Sequence, residues 1–379
     1  MRRRTVRTCL TTVAGLACLA AAAASPALAS SPPRGPFPPL NAVFVMNDRP
    51  QGNQVIAYSR AADGTLTQAG VYDTGGLGGQ LEGSVVDHTA SQGALALDRA
   101  DGLLFAVNPG SDSLSVFSVS GDTLRLRQVL PSGGAFPVSV TENQGYVYVL
   151  NAGQGGSIRG FVLAGATLYP NPGARRALSL PQAAPGSGEQ FTHTPAEIAF
   201  TPDGSRLVIT TKAAGQSVEV FTARTLAPVP VTTPLAGTVP FGFTFDPAGR
   251  LLITEAGPNA LASFSLSWNN RLTALSVVAT EQAATCWVAA AGGYYYASNA
   301  GSASLTGFSE QPGGALARIG DTSTHHGTVD AASSGRFLYV QGGAEGTLDE
   351  FEVQPGGALQ GIGSLVVPEA VGGEGIVAG

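Results

Sequence analysis

Four histidines, His88, His193, His325 and His326, and a few carboxylates near them are the groups of this 379-residue chain best suited to moving protons. Histidine changes charge near neutral pH, and a carboxylate beside it can act as base or proton donor, so a His/Glu set supports acid–base chemistry. The candidate catalytic set is Glu197, His88, His193 and His326, with Glu255, His325 and Glu82 as candidate ligand-binding groups. No H-x-H or H-E-x-x-H spacing occurs, so no dedicated metal site and no cofactor are expected; a divalent ion at the same His/Glu set is the less favoured option. Cys286 has no histidine near it in sequence, which predicts a buried structural thiol rather than a nucleophile. There is no Gly-x-Ser-x-Gly elbow, and the run Gly75-Gly76-Leu77-Gly78-Gly79 lacks the strand-to-helix setting of a phosphate loop.

The elements that must position these groups are visible as a repeat. A hydrophobic run closing on a small polar residue recurs seven times: Val43–Asn47, Leu104–Asn108, Val147–Asn151, Leu207–Thr211, Leu251–Glu255, Tyr295–Asn299 and Phe337–Gln341. Four of the six intervals between closing residues are about 42–44 residues, the period of a four-stranded propeller blade. The fourth repeat shows the grammar. Glu197–Phe200 is an inner strand, Thr201-Pro202-Asp203-Gly204 a turn, Arg206–Thr210 a second strand, Ala213–Gln216 a turn, Ser217–Thr222 a third strand and Leu226–Thr232 the outermost. The sequence thus predicts an all-β, seven-bladed propeller of four-stranded antiparallel blades over 41–379. The first repeat lacks an inner strand, and the chain ends in an orphan strand within Gly373–Gly379, so the C-terminal strand is expected to close the ring. Two intervals run long, around Tyr72–Ser91 and Leu178–His193. Both insertions join an outer strand to the next inner strand, on the face that should carry the binding mouth. His88 and His193 fall within them.

Residues 1–29 read as an export signal: Arg2, Arg3, Arg4 and Arg7, a short apolar stretch, and Ala27-Leu28-Ala29 before Ser30. Arg3-Arg4-Thr5-Val6 loosely matches a twin-arginine leader, and the general secretory route fits as well. Cys18 is preceded three residues earlier by Gly15, which disfavours a lipid anchor. Residues 30–40 form a proline-rich linker. Cleavage removes four arginines and no acid, taking the formal charge from −6 to −10. An acidic chain with no basic cluster in its sequence argues against nucleic acid and anionic lipid, and no membrane span is expected. Cys286 would be the last cysteine, so no intramolecular disulfide is possible. The chain is expected to be a secreted monomer.

Phe136-Pro137-Val138-Ser139-Val140, Phe200-Thr201-Pro202-Asp203-Gly204, Cys286-Trp287-Val288 and Ser298-Asn299-Ala300-Gly301-Ser302 resemble the seven-bladed lactonase family, which includes 6-phosphogluconolactonase-like and 3-carboxymuconate cyclase-like proteins. The resemblance spans about Asn41–Gly379. It implies a propeller and, in the family's enzymes, Gly-Pro-Arg-His at an inner-strand start. Here the corresponding stretches read Thr194-Pro195-Ala196-Glu197 and Val239-Pro240-Phe241-Gly242, keeping the proline and lacking Arg-His. Glu197 stands where the family places its histidine. Three functions remain open: a non-catalytic propeller binding a small molecule or protein at its mouth, a lactone hydrolase or cyclase with a rearranged His/Glu site, and a cell-surface scaffold using its blade sides.

Overall fold

The structure is a computed structural model that describes residues 40–379 except 225, 227 and 228; the expected signal (1–29) and almost all of the linker (30–40) lie outside the described residues. Seven four-stranded antiparallel sheets follow one another along the chain as blades of a propeller. The inner strands, from blade 1 to blade 7, are Ile376–Ala378, Leu95–Asp98, Pro137–Asn143, Ile198–Phe200, Pro240–Phe245, Thr285–Ala291 and Thr328–Ser334. Each predicted hydrophobic run is the second strand of its blade. Those strands read as near-continuous apolar segments because both faces pack against neighbouring blades. Phe44, Phe105, Phe117, Val149 and Phe161 form one such interface across blades 1, 2 and 3, and Val43, Val45, Tyr58 and Tyr339 another between blades 7 and 1.

The ring closes as expected. Val43, Phe44 and Val45 pair antiparallel with Ala378, Val377 and Ile376. This joins the two ends of the described chain in one sheet and leaves no unpaired inner edge on blade 1.

In the fourth blade, inner strand, turn and second and third strands fall as predicted. The expected turn at Ala213–Gln216 is a single helical turn, Lys212–Gly215. Its first residue, Lys212, and Gln216 just after it lie in the left-handed region, at φ +46° and +44°. The outer strand is Val231–Pro234 rather than Leu226–Thr232. Pro228 and Pro230 lack the N–H that a strand ladder needs, and Leu226 instead turns its side chain into the core.

The recurring asparagines are structural, through cross-strand bonds more than local turn geometry. Asn108 Nδ2 donates to Ser113 Oγ at 3.2 Å and Ser115 Oγ at 2.8 Å on the third strand. Asn299 Nδ2 donates likewise to Ser304 Oγ at 3.2 Å and Thr306 Oγ1 at 2.9 Å. Each ties the end of a buried strand to the start of the next.

Candidate functional site

The first long insertion, between Asp73 and Leu95, ends by entering the central channel. Its last residues, Thr89–Gly93, hydrogen-bond to inner-strand regions of five other blades. Ser91 Oγ donates to Val138 O of blade 3 at 2.9 Å, and Gln92 N to Ala196 O, just ahead of blade 4's inner strand, at 3.2 Å. Gln92 Nε2 reaches Phe243 O of blade 5 and Val288 O of blade 6, both at 3.2 Å, and Gln92 Oε1 accepts Val288 N at 3.0 Å. Trp287 Nε1 donates to Ser91 O at 2.6 Å. Glu374, leading into the closing strand of blade 1, accepts Gly93 N at 3.0 Å and Ser91 Oγ at 3.2 Å. The channel is therefore filled by the protein's own backbone, with the buried donors and acceptors of the crossing segment paired against the ring.

Around this plug sits a set of buried ionisable groups: Asp48, Asp87, Glu197, Lys212, Asp330 and Glu374, each at most 7% exposed. Asp87 caps the turn before the plug, accepting Thr89 N at 2.7 Å, Ala90 N at 2.9 Å and Ser91 N at 2.9 Å. Burial raises its carboxyl against the pull of these bonds and of Lys212. Burial, then the neighbouring Asp87, raises Asp48. Glu374 is raised by burial and then by Asp330, and burial likewise pushes Asp330 up to about 6. Burial pushes Lys212 down to about 7, opposed by Asp87 and Cys286.

Lys212, the only lysine of the chain, pins both insertions. Its Nζ donates at 2.6 Å to Ala90 O of the first and at 2.6 Å to Phe191 O of the second, and it lies 5.2 Å from the Phe241 ring centre. Glu82 makes a second junction. Its carboxylate accepts Gly188 N at 3.0 Å and Gly186 N at 3.2 Å, while Glu82 N donates to Gln190 Oε1 at 2.8 Å. The two insertions expected to rise over one face are thus packed on each other.

The sequence-selected groups end up in separate settings. Glu197 does stand at an inner-strand start and its carboxyl is raised, first by burial. However, its Oε2 accepts Phe243 N at 2.6 Å, so it bridges blades 4 and 5. The half-buried His88 imidazole lies against Gly372, whose missing side chain makes the room: a Cβ there would sit 2.1 Å from Nε2. Burial lowers its pKa. His193 Nδ1 lies 3.0 Å from Glu189 O and 3.0 Å from Thr192 Oγ1 in its own loop. His325 Nδ1 pairs with Asp349 Oδ1 at 2.5 Å in blade 7, and His326 beside it is exposed. Glu255 is buried at the end of blade 5's second strand, its carboxyl raised by burial. Among the described residues, no hydrogen bond joins any two of His88, His193, His325, His326, Glu197 and Glu255.

Sequence reasoning missed Lys212, Asp87, Asp330 and Glu374. The signals available were slight: the chain's single lysine directly after a second strand, an acid at the corresponding inner-strand position Asp330, and Glu374 beside the orphan strand. Cys286 has a neighbour that sequence distance hid, the Lys212 ammonium, yet burial dominates and pushes the thiol up to about 12. Among the described residues, no group of three His, Cys, Asp or Glu side chains is arranged to hold a metal ion, and no helix is long and apolar enough to cross a membrane.

No family model matches the sequence, and neither does any curated protein. Solved structures share the fold. A Bacteroides uniformis protein provisionally named 6-phosphogluconolactonase is 19% identical over 87% of this chain and 97% of its own, with a TM-score of 0.70. A like-named Bacteroides fragilis protein is 18% identical over 87% and 96%, at 0.69. The periplasmic gluconolactonase of Pseudomonas aeruginosa is 19% identical over 88% and 98%, at 0.67. The lactonase-like resemblance therefore holds at the level of fold, and fold alone does not fix activity.

Proposed function

We propose that this chain is an exported, monomeric propeller that binds a small molecule or protein on the face built by its two insertions, without turning it over. The observation that carries this reading is the plug. Residues 89–93 occupy the channel, so Glu197, Lys212 and the neighbouring carboxyls have almost no surface to offer a substrate. His193 and His325 are engaged by other partners, and among the described residues none of the rim histidines is hydrogen-bonded to Glu197. Lactone opening needs a base or acid within one-water reach of the ring and a positive group for the oxyanion. One observation favours the alternative, a lactone hydrolase or cyclase: Lys212 titrates near neutral pH beside Asp87 and Cys286, the kind of perturbed group that catalytic sites use. It would require the plug to lift.

Because the fold neighbours include a gluconolactonase, sugar lactones are the first ligands to test. Residues 30–379 are titrated with a lactone panel by calorimetry, with acid release followed in parallel, with and without chelator. Binding heat without acid release above buffer is the expected outcome. A lactone opened faster than in buffer, and no longer opened by Lys212→Met, overturns the non-catalytic reading. Export is tested by N-terminal sequencing of protein recovered outside the producing cell, with Ser30 expected first.

A further inference from the structure

Blades 2 and 3 hold a charge arrangement that the acidic sequence conceals. Residues 123–188 contain five arginines, Arg125, Arg127, Arg159, Arg175 and Arg176, against one acid, Glu142. Glu142 turns its carboxylate to its own hairpin, accepting Gly145 N at 2.8 Å. The strand register of blade 3 sets Arg159 directly opposite Arg175. Like charges in cross-strand pairs repel. Among the described residues, neither guanidinium has a carboxylate within ion-pairing distance. Arg176, by contrast, donates from its two terminal nitrogens to Arg175 O and Leu226 O, both at 2.6 Å.

Both unpaired arginines line a cleft of about 440 Å³ between the outer parts of blades 2 and 3. Its walls are apolar, with Leu130, Phe161 and Leu168, and Tyr169 stands at its edge 57% exposed. Gln128 ties the two blades together, donating to Leu168 O at 3.1 Å and accepting Leu168 N at 2.9 Å. The Arg159 stem is held against Gly133, where a Cβ would fall 2.5 Å from Cγ, and its guanidinium lies 6.0 Å from the Phe161 ring centre. A guanidinium fixed in this way loses little freedom on binding, and its planar fork suits an oxyanion.

We propose that this cleft binds a small organic oxyanion, a carboxylate or phosphate ester carried on a ring, with Arg159 and Arg175 on the anion and the apolar wall against the ring. The arrangement supplies two positive forks for one anionic group and an apolar wall for the body. It lies on the sides of blades 2 and 3 and stands independently of the mouth.

The test is calorimetric titration of residues 30–379 with benzoate, phenyl phosphate and benzyl alcohol at low ionic strength. Benzoate or phenyl phosphate is expected to saturate with a dissociation constant of about 1 mM or tighter, and the preferred one identifies the anion. Benzyl alcohol should not bind, and raising salt should weaken the anion several-fold. Arg175→Gln is exposed and should leave the melting temperature unchanged while weakening binding about ten-fold. Arg159→Gln, with the stem kept in part, should do the same, and the double variant should show no saturation. Arg336→Gln, on blade 7 and paired with Glu352, is the charge-matched control and should bind as the parent does. The proposal is overturned if neither anion saturates by 20 mM (roughly twenty times the expected constant). It also fails if benzyl alcohol binds equally, or if Arg175→Gln and the double variant bind like the parent.

Discussion

Replacing Lys212 by methionine should remove one source of the pH dependence of stability. In the folded protein Lys212 titrates near 7, against 10.5 for a free lysine, chiefly because it is buried. Between these values the unfolded chain binds a proton that the folded chain does not, so stability rises with pH. The slope from one such group is about 1.4 kcal/mol per pH unit once the folded form is neutral. Starting at the folded value, the gain from pH 7 to pH 9 is about 2 kcal/mol. Methionine has a similar unbranched stem and no proton to lose, so this contribution vanishes. It also leaves Ala90 O and Phe191 O without their donor, a loss of about 1–3 kcal/mol each where no water replaces it. The assay is urea denaturation of residues 30–379 and the Lys212→Met variant at half-unit steps from pH 7 to 9. The Cys286 thiol and the tyrosines, whose folded values burial raises, are present in both proteins, so their contribution near pH 9 cancels in the difference. The raised carboxyls are common to both proteins. The difference in unfolding free energy, parent minus variant, should grow by about 2 kcal/mol across the range. A flat difference, or one that shrinks as pH rises, would refute a buried, neutral Lys212 as the pin between the insertions.

Truncation after Val367 removes the closing strand and Glu374, and should lower the melting temperature by more than about 10 °C or abolish soluble expression; a truncated protein as stable as the parent contradicts ring closure. Glu197→Gln keeps an acceptor for Phe243 N and should cost under about 1 kcal/mol, whereas Glu197→Ala strands that buried N–H and opens a void, costing about 2–4 kcal/mol. Equal effects of the two substitutions would show that the carboxyl does not serve as a bridge. Cys286, pushed up to about 12, should react with a thiol reagent at pH 8 more than about 100-fold slower in the folded protein than in urea, and comparable rates would place the thiol in contact with solvent.

The sequence by itself determined the architecture, because a propeller blade writes its period into the chain. The second strand of every blade is apolar on both faces, its asparagine or substitute marks the strand end, and Pro-Asp-Gly forces the first hairpin in blade 4. Those constraints act within about 44 residues of chain and survive without tertiary information. The missing strand of the first repeat and the orphan at Glu374–Ala378 likewise forced closure, since two unpaired edges are costly. That both insertions lie between an outer strand and the next inner strand followed from their position, while their contact with each other came from the structure. What only the tertiary structure decided was the company each ionisable group keeps. Lys212 meets Ala90 and Phe191 across 122 and 21 residues of chain, and Gln92 meets Val288 across 196. Arg159 and Arg175 become neighbours through strand register and through the turn between them. Of the histidines, conspicuous in the sequence, His193 bonds within its own loop and His325 pairs with Asp349, while His88 lies half-buried against Gly372 and His326 is exposed. The lysine and the acids were drawn to the channel because the plug's polar atoms needed partners away from water. Periodicity reports which residues face inward, and burial with hydrogen-bond matching, fixed only when seven blades close around one crossing segment, sets which charges meet there.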